Sequence, residues 1–163
     1  MNDRKIVLDT LDKIGISYEA YEHPPIPTIE EALIHWKDID ATHCKNLFFR
    51  NHKGNRHYMV VFEHSQKLAI RDLEQKLKQG KLSFASEKRM IKYLDTIGGS
   101  ISPFGLINDL DNHTYLFLDE NLLKADKISF HPNDNTMTLV ISKDDFIKYL
   151  DWVGNDYEFL NLY

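Results

Sequence analysis

The chain has 163 residues, 42% hydrophobic and 28% charged, with a formal net charge of −5; that is enough for one domain with a core and too few for two. Interspersed charge with sparse Gly and Pro excludes a disordered chain, and the acidic balance argues against wholesale wrapping by nucleic acid. The single cysteine, Cys44, excludes an intrachain disulfide and a thiolate-rich zinc site, while the lack of any apolar run near ~20 residues and a charged amphipathic start predict a cytoplasmic chain with no membrane partner.

Val7, Leu8, Leu11 and Ile14 repeat at helical spacing and Gly15 supplies a stop, predicting an N-terminal helix. ISYEAYEH follows as a strand. Pro24, Pro25 and Pro27 break the chain, and Thr28 with Glu31 forms a capping-box pattern that opens a short helix toward Trp36. NLFFRNHKGNRHYMVVFE is two apolar runs around a Lys-Gly-Asn turn, a hairpin expected at the centre of the sheet. AIRDLEQKLKQG predicts an amphipathic helix ending at Gly80, and SEKRMIKYLD a second one capped by Ser86.

HTYLFLD, KISFH and MTLVIS read as three short strands, and SKDDFIKYLDWVG as a closing helix from Ser142 to Gly154. Strands and helices mix without strict alternation. The class is therefore α+β: a single domain over residues 1–163 with a mixed, mostly antiparallel sheet flanked by helices. Between Lys76 and Lys92 six cations (Lys76, Lys78, Lys81, Lys88, Arg89, Lys92) face one acid, Glu87. The simpler reading is a solvated helix face, with a local nucleic-acid patch as the alternative.

One segment, GGSISPFGLIND at 98–109, combines two adjacent glycines with a fixed proline. Glycines permit positive φ, and consecutive N–H groups in such a turn can converge on an oxyanion or a carbonyl oxygen. The plainer alternative is that the glycines end a helix and Pro103 begins a strand.

Six segments taken in order, EHPPIPTIEEA, CKNLFFRNHKG, KLSFASEKRM, GGSISPFGLIND, FHPNDNT and FIKYLDWVGNDY, resemble the YbaK and prolyl-tRNA-synthetase-associated deacylase family, and within it the free-standing editing group. The resemblance spans roughly His23 to Tyr157. It implies a barrel-like sheet and a trans-editing hydrolase that cleaves the ester joining a wrong amino acid to the 3′ end of proline tRNA, with alanine favoured. Mischarged proline tRNA is the implied partner, and prolyl-tRNA synthetase a candidate one. A synthetase pocket shaped for proline rejects a smaller side chain poorly, so a second site is needed.

The family's essential lysine corresponds to Lys45, its neighbour to Asn46, its Gly-x-x-x-Pro loop to Gly99 through Pro103, and its His-Pro histidine to His131. Where family members commonly have Gly-His, this chain has Gly154 and Asn155. Under this reading Lys45 binds the terminal phosphate or ribose, and backbone amides of Gly99, Ser100, Ile101, Ser102 and Phe104 hold the carbonyl oxygen. His131 supplies shape and hydrogen bonding. His23, Pro24, Pro25 and Thr28 shape the entrance, and Phe48 or Phe49 limits depth.

Taken alone, Lys45 reads as a solvated strand-edge charge and His131 as a turn residue. Cys44 reads as core filler. No histidine spacing matches a metal motif, so neither metal nor cofactor is expected. Two other functions fit the composition less well: a non-catalytic sensor of aminoacyl-tRNA or proline-like ligands, and a nucleic-acid-binding regulator, which lacks a helix-turn-helix signature.

Overall fold

A computed structural model describes residues 3–25 and 29–163. Helix α1 (Asp3–Lys13) buries Val7 and Leu11, one turn apart, and ends ahead of Gly15, whose φ of 79° reverses the chain. Strand β1 (Glu19–Glu22) leads toward α2 (Ile29–Trp36). Thr28, and with it the expected capping box, lies outside the described residues. The expected hairpin is β2 (Thr42–Asn51) and β3 (His57–Glu63), paired antiparallel from Cys44 opposite Glu63 to Arg50 opposite His57.

Helices α3 (Ile70–Leu77) and α4 (Glu87–Leu94) flank a three-residue strand, β4 (Leu82–Phe84), that the sequence reading missed. The third helix stops at Leu77, with Lys78 rather than Gly80 taking the first left-handed conformation (φ 57°). Ser86 Oγ accepts from Arg89 N as expected of an N-cap. Strands β5 (Thr114–Asp119), β6 (Lys127–Phe130) and β7 (Met137–Ser142) follow. Helix α5 (Lys143–Val153) opens at Ser142 and closes at Gly154, φ 88°, before a second missed strand, β8 (Tyr157–Leu160).

The eight strands form one mixed sheet in the order β1-β7-β6-β2-β3-β5-β8, with β4 paired to β2, so the hairpin is central as expected. It has two arms, β1-β7-β6 and β2-β3-β5-β8, joined among the described residues by a short parallel ladder: Thr42 opposite Ile128 and His43 opposite Ser129. The main core lies between them: Ile128, Leu139 and Ile141 of one arm meet Met59, Val61, Leu116 and Leu118 of the other, with α1 and α5 packed in. This wrapping gives the barrel-like shape, although the hydrogen-bonded path among the described residues ends openly at β1 and β8. Two satellite cores cover the outer faces, α3 on Phe49, Val60 and Phe62, and α2 on Val140. No helix among the described residues is long and apolar enough to cross a membrane.

Candidate active site

The site originates where two parallel strands part. Pairing of β2 with β6 ends at His43 and Ser129, and β4 joins β2 only from Phe49 onward. Between those points Cys44 to Leu47 pair with β3 alone. The divergence opens a cavity of about 170 Å³. One wall is Cys44, Lys45, Asn46 and Leu47, and the opposite wall is Ser129, Phe130 and His131 with Thr138 of β7; Ala32 and Trp36 of α2 cover it, and Gly98, Gly99 and Ile101 form the rim. This volume is small beside the roughly 300–1,000 Å³ of drug-sized pockets.

The glycines do not end the helix. Asp95, φ 52°, closes α4 before the glycines are reached, and Gly98–Ser100 is a separate 3₁₀ turn. Pro103 opens a second 3₁₀ segment, Pro103–Asn108, rather than a strand, because Ser102 caps it through Phe104 N. Within the first turn Ser100 N donates to Ile97 O and Ile101 N to Gly98 O. The amides of Gly98 and Gly99 have no acceptor among the described residues and stand at the rim.

The loop is held from behind. Tyr149 Oη donates to Pro103 O at 2.7 Å inside the core, Asn108 Nδ2 donates to Leu94 O at 2.9 Å, and a Cβ on Gly105 would lie 3.1 Å from Leu94 Cβ. Burial pushes the Tyr149 hydroxyl well above its usual range, so it remains a donor. These contacts fix the Pro103–Asn108 segment that follows the glycine turn, and Ile101 N bonded to Gly98 O ties the turn to it.

The cavity thus brings together Lys45, Asn46, Gly99, Ile101 and His131. Ser100 sits half-buried beside them, outside the lining. Ser102, Pro103 and Phe104 lie behind the rim, all buried, and Phe104 N is already committed to Ser102 Oγ; this corrects the expectation that Phe104 supplies an amide to the substrate. Phe48 and Phe49 do not limit the cavity's depth either. Strand alternation sends Phe48 into the main core and Phe49 into the satellite core under α3, and Trp36 and Phe130 close the space instead.

His131 donates Nδ1–H to Met137 O at 2.8 Å. Burial lowers its pKa, so the ring is neutral with Nε2 as an acceptor. His23 stands one layer back, with its ring 5.7 Å from that of His131 and its Nε2 2.9 Å from Thr138 Oγ1; Pro24 is exposed beside it. Burial pushes the Cys44 thiol up, leaving it protonated and a poor nucleophile. Asn155 is buried away from the cavity and donates to Asp109 Oδ2 (3.0 Å) and Thr114 O (2.8 Å), tying the end of α5 to β5.

Sequence reasoning missed Trp36, Ser129 and Thr138. Trp36 stacks on His43 at 4.4 Å, and His43 in turn bonds Ser129 Oγ. Trp36 Nε1 and Asn46 Oδ1, both on lining residues, are buried with no hydrogen-bond partner among the described residues. Such groups are costly in a folded protein and concentrate at functional sites. Only the aromatic at the end of the α2 pattern hinted at this wall. Among the described residues no three His, Cys, Asp or Glu side chains are placed to hold a metal.

The sequence model of the aminoacyl-tRNA editing domain matches residues 23–149. The chain is 39% identical over 163 residues to the prolyl-tRNA editing protein ProX of Acetoanaerobium sticklandii, covering 99% of each chain. It is 32% identical over 155 residues to prolyl-tRNA synthetase associated domain-containing protein 1 of Mus musculus, covering 93% of this chain and 91% of that one. A crystal structure described as a proposed trans-editing enzyme for prolyl-tRNA synthetase superposes with a TM-score of 0.72 at 19% identity, over 99% and 98% of the two chains, a likeness of fold. The cavity with its lysine, asparagine and amide rim is thus set in a chain that belongs to the aminoacyl-tRNA editing domain family.

Proposed function

We propose that the protein is a trans-editing deacylase that hydrolyses alanine from mischarged proline tRNA. The observation that carries this reading is that Lys45 and Asn46 on β2 line one small cavity together with Gly98 and Gly99, whose amides have no acceptor among the described residues. An aminoacyl ester is already activated, so its hydrolysis needs a polarised carbonyl, a placed water and little else. The rim amides hold the carbonyl oxygen as it gains negative charge. Lys45 pairs with the phosphate or ribose of the terminal nucleotide, and neutral His131 fixes the acyl group through Nε2. Water adds to the carbonyl carbon, aided by the vicinal ribose hydroxyl; the acyl C–O bond then breaks, and the ribose oxygen leaves with a proton.

A synthetase pocket shaped for proline rejects the smaller alanine poorly, which supports alanine as the amino acid removed. The whole chain acts as one editing unit in the cytoplasm, with prolyl-tRNA synthetase as the source of its substrate.

The test is deacylation of proline tRNA charged with alanine, cysteine, serine or proline, with and without chelator, beside Lys45→Ala. Chelator-resistant release of alanine alone, lost in the variant, is the expected result. Survival of every ester while charged tRNA still binds would replace the enzyme with a sensor.

A further inference from the structure

A second cleft, of about 460 Å³, lies between the β2–β3 turn and α4 and is lined by Gly54, Ser86, Lys88, Arg89, Lys92 and Tyr93. Lys88, Arg89 and Lys92 share one face of a two-turn helix whose only acid is Glu87. Among the described residues none of the three cations forms an ion pair. Like charges three and four residues apart on a helix repel. A chain of net charge −5 has many carboxylates with which to neutralise such a cluster, yet among the described residues none pairs with it.

The central arginine is built into position. Arg89 Nη1 donates to Gly54 O and to His57 Nε2, both at 2.9 Å, and His57 Nδ1 donates to His113 Nε2 at 2.8 Å. His57 accepts because burial first, and then the surrounding His113, Arg89, Lys92 and Arg50, push its pKa down to about 4. Tyr93 stacks on His113 at 4.4 Å and lies under Lys92, whose Nζ is 5.2 Å from the ring centre. Gly54 has φ +73°, and a Cβ there would lie 2.8 Å from Arg89 Nη2. These contacts use Nη1 and leave the Nε and Nη2 hydrogens of the guanidinium without acceptors among the described residues. An open guanidinium edge of that kind matches a phosphate.

The cleft is fixed relative to the cavity, because α4 leads directly into the glycine rim. Strand β2 carries the chain about 20 Å from Lys45 to Asn51 at roughly 3.3 Å per residue, and Gly54 N bonds Asn51 O. A stacked nucleic-acid strand advances about 3.4 Å per nucleotide. An RNA whose 3′-terminal ester sits beside Lys45 and whose strand runs along β2 brings a phosphate about six nucleotides back to α4.

We propose that the Lys88, Arg89 and Lys92 cleft binds the phosphodiester backbone of the tRNA acceptor arm, with Arg89 as its fixed anchor. This rests on the editing reading above and adds a docking site remote from the ester. Lys88 and Lys92 are exposed, and among the described residues neither side chain forms a hydrogen bond or ion pair, Lys92 lying only over the Tyr93 ring, so Lys88→Ala/Lys92→Ala probes the cleft without unfolding it.

The experiment compares this double variant with wild type on alanine-charged proline tRNA and on an alanyl CCA trinucleotide too short to reach α4. The expected result is a kcat/KM on tRNA about tenfold lower at 0.1 M salt, with a salt dependence of tRNA affinity shallower by about one to two in log–log slope. Trinucleotide turnover is unchanged. An unaltered tRNA affinity and salt slope, or an equal loss on both esters, overturns the cleft. If wild type hydrolyses neither ester, the editing reading fails, and the salt slope for uncharged tRNA still decides the cleft.

Discussion

The two halves of β2 share one strand and have opposite fates. From Phe48 to Asn51 the strand is bonded on both sides, to β3 and to β4 or its flank, where Ala85 N meets Phe48 O; Phe48 and Phe49 are 1% and 0% exposed. From Cys44 to Leu47 it is bonded to β3 alone, and Lys45, Asn46 and Leu47 are half-buried beside a cavity. The difference is the departure of β6 after Ser129. A strand becomes a site where its ladder stops on one side, because side chains there need not interdigitate with a neighbour.

Phe48→Ala attacks the closed half and has the largest expected effect. Removing a fully buried ring should cost about 3–5 kcal/mol in urea denaturation, while the activity per folded molecule survives. Lys45→Ala attacks the open half and should invert that outcome. Deacylation is expected to fall by about 10²–10³-fold, with the melting temperature within about 2 °C of wild type because no core contact is lost. An unfolded Lys45→Ala protein would mean that the two halves are not separable.

A pH experiment separates them further. His57 lies in the closed half of the hairpin, and its pKa is pushed from 6.5 down to about 4. The unfolded chain therefore binds a proton that the folded chain refuses, so stability falls as pH drops through 6.5 and levels off near 4. The loss is at most about 3 kcal/mol. His57→Gln should flatten that slope in denaturation curves taken between pH 7 and pH 4.5. The smallest effect is expected from Tyr149→Phe, which frees Pro103 O inside the core. It should cost about 1–3 kcal/mol and loosen the amide rim, which is read as a lower kcat with little change in KM.

Elements governed by their own ends were legible in the chain. Ser142 and Gly154 bound α5, and Ser86 caps α4, because a hydroxyl cap and a positive-φ glycine act within a few residues. Alternating apolar runs around a glycine turn fixed the hairpin. Strands β4 and β8 escaped because three or four residues carry no decisive period and are defined by the partner they reach. The depth attributed to Phe48 and Phe49 failed for a related reason: alternation gives opposite faces, but only packing says what each face meets.

The sequence by itself determined the helices and hairpin from local periodicity and capping, the class from their order, and the family from six segments that include Lys45, Asn46, Gly99 and His131. Tertiary structure alone decided that the β2–β6 ladder ends after two residue pairs, that Trp36 closes the cavity, that Phe104 gives its amide to Ser102, and that Arg89 is locked between Gly54 and His57. The physical reason is range. Caps and alternation are settled between neighbours in the chain, whereas a cleft is a place where elements distant in sequence come close and stop short of contact.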